Sequence, residues 1–257
     1  MSLMVKRAGA YSLLVDNGRP HFRHRGLPES GPADRRAFLL ANAFVGNPSP
    51  LLSLEISYSG PELVALEETG FSCVGADFLI LRGDQTLPPN CTATLSQGET
   101  LQIQGSQNGC RCYLAVVGGF SGKTILESQS ALQPIAAGET LQCNPSKVPT
   151  RWLAQNFFES SPSKLRVIPG PQAKHFDLEK ILTQTFRVSQ IGNRMGIRLL
   201  GDPIPVPKEQ LVSEPVTTGA IQVTADGQLV ILGVEGQTIG GYHKPLHLIS
   251  ADWDRLG

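Results

Sequence analysis

Three polar clusters set among glycines hold the side chains best able to do chemistry. Gly26-Leu27-Pro28-Glu29-Ser30-Gly31-Pro32-Ala33-Asp34 packs turn formers directly ahead of a helical pattern. It sets Ser30 and the first-turn amides either to dock an anionic group or simply to cap the helix. Gly192-Asn193-Arg194-Met195-Gly196-Ile197-Arg198 places two arginines on a glycine-flanked turn. Gly236-Gln237-Thr238-Ile239-Gly240-Gly241-Tyr242-His243-Lys244-Pro245 offers donors around a Gly-Gly bend, where missing side chains let the backbone approach a ligand closely.

Other signals fail on geometry. In Cys112-Tyr113-Leu114-Ala115-Val116-Val117-Gly118-Gly119-Phe120-Ser121-Gly122-Lys123-Thr124 a strand runs into a near-phosphate loop. A phosphate loop needs four residues between its first glycine and Gly-Lys-Thr, with a helix following to aim its N-terminus at the anion. Gly118 is one residue too close, Val117 stands at the required place, and 125–138 contains Pro134 without a helical stripe. A plain turn is therefore expected. His243 and His247 lie four apart, but Pro245 between them disfavours a helix and no third ligand presents itself, so no metal is expected. The five cysteines include no Cys-x-x-Cys pair, which argues against a disulfide framework or structural zinc and for small core residues. No nucleophile elbow, His-Glu-x-x-His or dinucleotide fingerprint occurs, so motifs alone give no activity.

The elements that must position these clusters are mostly strands. Short apolar runs at 11–15, 51–58, 71–74, 78–81, 101–104, 112–117, 165–168, 196–200, 220–223, 229–232 and 246–249 are punctuated by Gly, Pro, Asn and Asp. Helix grammar is good only at 31–46, with Ala37, Leu40, Ala41 and Phe44 on one face, and at 177–184, with Asp177 as N-cap. The stretch 61–69 reads equally as a short helix or a strand with a turn. Gly98-Glu99-Thr100-Leu101-Gln102 recurs word for word as Gly138-Glu139-Thr140-Leu141-Gln142, each copy a turn entering a strand. Two β-rich lobes are expected at 4–145 and 165–257, joined by a Pro- and Ser-rich linker over 146–164. Met1–Leu3, ahead of the second methionine Met4, are left out of the fold reasoning.

Charge excludes further classes. The 22 basic and 22 acidic side chains cancel, and charged residues make up 17% of 257 residues, against roughly 25% in an average domain. No basic run tracks a nucleic-acid backbone. No apolar stretch is long enough to cross a bilayer, and no apolar segment follows the N-terminal charges as in a secretory signal, so a cytoplasmic chain is expected.

Ten ordered blocks carry a resemblance over nearly the whole chain. They are 26–34, 35–48, Leu54-Glu55, 75–78, Tyr113-Leu114-Ala115-Val116-x-Gly118-Gly119, Pro169-Gly170-Pro171-Gln172, Arg194-Met195-Gly196, Ser213-Glu214-x-Val216-x-x-Gly219-Ala220-Ile221-Gln222-Val223, Asp226-Gly227-Gln228 and Gln237-Thr238-x-Gly240-Gly241-Tyr242. Together they resemble the biotin-dependent carboxyltransferase-domain family, which includes the C subunit of 5-oxoprolinase and the protein long labelled allophanate hydrolase subunit 2. The resemblance implies a mostly β fold of two tandem cyclophilin-like β-barrel subdomains with a few short helices. It implies one component of an ATP-dependent hydrolase that opens 5-oxoproline to glutamate, beside a cyclophilin-like B-type partner and an A-type partner. ATP would act in the complex, because an unstrained lactam is a poor electrophile, and no biotin would be attached to this chain.

By motif position and side-chain chemistry, Arg194 and Lys244 become candidates for stabilising developing charge and Glu214 for acid–base work. Ser30, Asp34, Gln222, Gln237, Thr238 and Tyr242 become candidates for substrate hydrogen bonds. Two alternatives stay open: a carboxyltransferase subunit of a urea-carboxylase-like system, with biotin on another protein, and a non-catalytic binding module that antagonises a kinase inhibitor. Three departures from the family pattern stand out. Gln129 replaces an arginine, His243 follows Gly241-Tyr242 where a proline is usual, and the chain stops before the expected closing strand of the second subdomain.

Overall fold

The computed structural model describes residues 2–153, 164–209 and 211–256. They divide into two compact units, one of residues 2–18 and 34–153, the other of 19–33 and 164–256.

The first unit is two antiparallel six-stranded sheets and a helix. One sheet runs, in order, Thr140–Gln142, Ser2–Arg7, Glu62–Ala65, Thr100–Ser106, Phe78–Arg82 and Gln85–Leu87. The other runs Arg151–Trp152, Cys91–Leu95, Thr69–Gly75, Arg111–Val116, Ser53–Ser57 and Tyr11–Val15. Alternating residues of both, among them Leu3, Leu63, Ile80, Leu101, Leu54, Phe71, Ala93 and Leu114, fill the core between them. The helix Arg35–Phe44 covers the outer face of the second sheet, packing Ala37, Phe38 and Ala41 on Leu13, Val74, Tyr113 and Ala115. Covered on both faces, the strands Ser53–Ser57, Thr69–Gly75 and Arg111–Val116 are buried at every position. A sheet covered on both faces selects continuous apolar and small residues rather than alternation.

Local chemistry explains these elements. Asp34 caps the helix, its Oδ1 accepting from the Ala37 amide at 2.9 Å. The buried face is rotated from the expected one: Phe38 and Asn42 are buried, whereas Leu40 and Phe44 are only partly covered. Asn42 tolerates burial because its amide is satisfied by Phe38 O, Leu51 O and Ser53 Oγ, while its Oδ1 accepts from Leu51 N and Asn47 Nδ2. The two copies of the repeated pentapeptide each enter a strand of the first sheet through a left-handed glycine, Gly98 (φ +81°) and Gly138 (φ +85°). The ambiguous stretch 61–69 contains the strand Glu62–Ala65.

The second unit centres on an antiparallel sheet in the order Val167–Pro169, His243–Leu248, Ala220–Val223, Leu229–Leu232, Gly196–Leu200 and Arg187–Val188. Ile221, Val223, Leu229, Ile231, Leu246 and Leu248 form its core with Ile181 of the short helix Leu178–Thr183, which Asp177 caps. A two-stranded ribbon pairs Glu214–Pro215 with Ile239–Gly240. The Asp252 carboxylate grips Arg166 through its backbone N (2.7 Å), Nε (3.1 Å) and Nη2 (2.6 Å), tying the 3-10 helix Ser250–Leu256 to the chain entering Val167–Pro169.

Four expectations are corrected. The architecture is mostly β with few helices, but among the described residues no sheet closes into a barrel: each ladder ends at two edge strands. In the first unit, opposed sheets enclose the core without closure. Ser2 and Leu3, left aside in the sequence reading, belong to the fold, since Ser2–Arg7 is a strand and Leu3 is fully buried; Met1 lies outside the described residues. Residues 19–33, counted with the first lobe in the sequence, belong to the second unit. The start of the supposed linker is anchored: Thr94 Oγ1 donates to Val148 O (2.8 Å), Thr92 Oγ1 to Pro149 O (2.7 Å), and Arg151–Trp152 pairs with Cys91–Leu95. The rest of that linker, 154–163, lies outside the described residues.

Candidate functional site

The second unit gathers one charged pair and three glutamines. Lys244 lies on the strand His243–Leu248 with a side chain only 5% exposed, and its Nζ donates to Glu214 Oε1 at 2.7 Å and to Tyr242 O at 3.0 Å. The same Glu214 oxygen accepts from Gln172 Nε2 at 2.7 Å, and Gln172 Oε1 accepts from the Lys244 amide at 3.0 Å. The hydrogen bonds from Lys244 and Gln172 hold the Glu214 carboxyl below its ordinary range, outweighing the opposing effect of burial. Glu214 keeps 35% of its side chain exposed, so one end of the cluster meets solvent.

Gln222 and Gln237 continue the cluster inward. Ile221 pairs with Leu246 but Val223 with His243, so Lys244 and Pro245 both stand opposite the single residue Gln222. A bulge of this kind re-aims the side chains around it. Gln222 is 3% exposed, and its Oε1 accepts from Gln237 Nε2 at 3.3 Å. Gly240 makes room for both amides, since a Cβ there would sit 2.3 Å from Gln237 Nε2 and 3.3 Å from Gln222 Nε2. Gly170 does the same for the main chain, where a Cβ would meet Lys244 O at 2.2 Å.

Arg194 and Ser30 serve a second arrangement. Arg194 is 5% exposed; its Nε donates to Glu235 Oε1 (2.9 Å) and its Nη2 to Gly31 O (2.5 Å). Ser30, in the left-handed region at φ 59°, donates from Oγ to the same Glu235 oxygen (3.0 Å) and from its amide to Val234 O (3.0 Å). The expected anion-docking turn is thus a clamp that holds 19–33 on the second unit, with Arg23 Nη2 donating to Val216 O as a further tie. The guanidinium expected to stabilise developing charge is committed to that clamp.

The remaining expected residues divide. Asp34, expected at substrate, is the helix cap of the first unit, and its amide donates to Tyr113 Oη at 2.8 Å while that hydroxyl donates to Glu55 Oε2 at 2.7 Å. Thr238 is buried, and its carbonyl accepts from the Val216 amide beside the ribbon. Tyr242 is 44% exposed and adjoins the cluster through its carbonyl. The structure therefore brings together Glu214, Lys244, Gln222 and Gln237, with Tyr242 beside them, and assigns Arg194, Ser30 and Asp34 other work. Sequence reasoning missed Gln172 and Glu235. The signal for Gln172 was its place in Pro169-Gly170-Pro171-Gln172, whose glycine marks a close approach of backbone.

Other motifs resolve as structure. Gly118 and Gly119 adopt left-handed conformations, and among the described residues no helix follows them before the strand Thr140–Gln142. Gln129 is pinned by Asp16 Oδ2, which accepts from its amide at 2.6 Å, and its own Nε2 donates to Gly122 O at 3.1 Å. Burial pushes Asp16 up, yet hydrogen bonds from Ser128, Ser130 and the amides of Gln129 and Gly18 bring it below the usual carboxylate range. His247 Nε2 meets Thr217 Oγ1 at 2.9 Å, while His243 packs on the rings of His175 and Phe176. Cys73, Cys91 and Cys112 are core residues, and burial pushes the Cys91 thiol up to about 12.

Comparison with known proteins places this geometry. A family model described as "Carboxyltransferase domain, subdomain A and B" matches residues 25–257. The C subunit of the 5-oxoprolinase of Escherichia coli (strain K12) is 29% identical over 269 residues, covering 99% of this chain and 86% of that protein. The urea amidolyase of Saccharomyces cerevisiae is 27% identical over 281 residues, covering 94% of this chain and 15% of that protein. The crystal structure of TTHA0988 superposes with a TM-score of 0.89 at 33% identity, covering 99% of this chain, which spans 52% of that one. The chain belongs to the carboxyltransferase-domain family, as a unit of subdomains A and B.

Proposed function

We propose that this chain is one subunit of an ATP-dependent hydrolase that opens 5-oxoproline to glutamate together with partner subunits. The observation that carries this reading is the Lys244–Glu214 pair, bonded to Gln172, with the Gln222–Gln237 amide pair on the neighbouring strand and ribbon of the second unit. Such a cluster suits a small polar amide better than an apolar ligand or a phosphate. The name of the Escherichia coli relative, which this chain parallels over 86% of its length, supports both the reaction and the need for other subunits.

Ring opening adds water across the lactam, breaking its C–N bond and forming a carboxylate. The barrier is the poor electrophilicity of an unstrained amide, which is why ATP is consumed. The loop 118–124 does not fit a triphosphate, lacking both the glycine spacing and the following helix, so we assign no phosphoryl step to this chain. Its residues bind and orient. The Lys244 ammonium lies where it can offset negative charge developing on the amide oxygen, in a place with little water to weaken it. Glu214 stays ionised and holds that ammonium in position.

The test is reconstitution: the chain, its A-type and B-type partners, ATP and 5-oxoproline should yield glutamate, and a well-formed complex that yields none contradicts the proposal. The match over 94% of the chain to a urea amidolyase favours a second reading, in which the chain serves as a carboxyltransferase component directed at an amide nitrogen. Capture of a biotinylated partner, with bicarbonate-dependent consumption of urea, would select it.

A further inference from the structure

Gln222 carries a polar atom that the fold leaves unused. Its side chain is 97% enclosed, yet among the described residues Nε2 has no hydrogen-bond partner. An unsatisfied buried donor costs roughly 1–3 kcal/mol, so a fold retains one only where something else uses it. Gln237 Nε2 donates to Gln222 Oε1 at 3.3 Å, and both amide nitrogens lie over the bare Cα of Gly240, at 2.3 Å (Gln237) and 3.3 Å (Gln222) from where a Cβ would sit.

A matching acceptor lies on the same face. Glu214 stands directly opposite Gly240 in the two-stranded ribbon, and residues directly opposite present their side chains to one side. Glu214 therefore projects to the side of Gly240 on which the Gln237 and Gln222 amides lie. Glu214 Oε1 is taken by Lys244 and Gln172, whereas Oε2 has no partner among the described residues and the side chain is 35% exposed.

We propose that Gln222 Nε2 and Glu214 Oε2 together read the edge of a cis amide, the first donating to its carbonyl oxygen and the second accepting from its N–H. A five-membered lactam has its C=O and N–H on one edge, as a donor and an acceptor on one face require; a trans secondary amide has them on opposite sides. A free carboxylate offers no N–H and would set a second anion against Glu214. The inference rests on taking this cluster as the amide site, and it identifies Gln222 and Glu214 as the residues that select the ligand.

The test uses the full chain alone, without ATP or partner subunits, so its outcome is independent of whether a reconstituted complex makes glutamate. Titration with 2-pyrrolidinone, followed by NMR of the side-chain amide resonances, should shift those of Gln222 and Gln237. 1-Methyl-2-pyrrolidinone lacks the N–H and should bind about tenfold more weakly, as should 2-pyrrolidinone to Gln222→Leu, one hydrogen bond being worth up to about that factor. Gln222→Leu removes both the unsatisfied donor and the acceptor held by Gln237, so its melting temperature is measured alongside binding to separate lost binding from lost folding. Gln222→Glu, which keeps the bond from Gln237 but replaces the donor with an acceptor, should also lose binding. Equal affinity for the methylated lactam, undiminished binding by either variant, or no shift with 2-pyrrolidinone at millimolar concentration overturns the proposal.

Discussion

Lys244 holds an ammonium in a place that is 95% enclosed, and among the described residues Glu214 Oε1 and the Tyr242 carbonyl compensate it. Breaking a buried pair by deleting one partner costs on the order of 3 kcal/mol, most of it from the charge left behind. Glu214→Ala should accordingly lower stability by roughly that amount, and Glu214→Gln, which keeps an oxygen for Lys244 and Gln172 but not the charge, should lose less. Urea unfolding of both variants checks the ordering. At this scale the sequence was partly legible. Glu214, Gln222 and Gln237 were marked by their places in the ordered blocks, and Lys244 by its chemistry just past the last of them. Arg194 was misjudged, because an arginine on a glycine turn reads the same whether it faces a ligand or grips Glu235 forty-one positions away.

Among elements, the helix Arg35–Phe44 depends on its cap and on one aromatic. Asp34→Ala should cost about 1 kcal/mol by leaving the Ala37 amide without its acceptor, while Phe38→Ala should cost about 3–5 kcal/mol. Thermal melts of the two variants should separate them clearly. The C-terminal 3-10 helix carries a pH dependence. Arg166 holds the Asp252 carboxyl well below its ordinary range, so this contact stabilises the fold above the unfolded value of about 3.9. That contribution disappears as pH falls through the lower folded value. Asp252→Asn should therefore melt below the parent at neutral pH, with a gap that closes as pH drops below about 4.

Strand positions were readable at this scale because apolar runs between turn formers suffice to place them: 11–15, 196–200, 220–223 and 229–232 all match. The burial of Asn42 was not readable, since counting apolar residues cannot see an amide whose five partners come from neighbouring turns and strands. Barrel closure was not readable either, because it depends on whether the two edges of a sheet meet, and no single segment encodes that.

For the molecule as a whole, the feature least visible in the sequence is the membership of 19–33 in the second unit. Ser30 meets Glu235 across 205 positions and Arg194 reaches Gly31 across 163, and such non-local pairs leave no local signature. The clamp leads to a prediction at this scale. Glu235→Ala removes the shared acceptor of Arg194 and Ser30, so limited proteolysis should cut within 19–33 sooner than in the parent. Unchanged protection of that segment would count against the clamp.

The central claim is that the Lys244 cluster of the second unit handles the amide. The direct measurement is glutamate formation from 5-oxoproline by a reconstituted complex carrying Lys244→Met, with assembly verified by native mass spectrometry. Loss of a positioned charge-stabilising donor typically lowers kcat by about 10²–10³, and a fall of that size in an intact complex is the predicted result. Turnover within a factor of about two of the parent would contradict it.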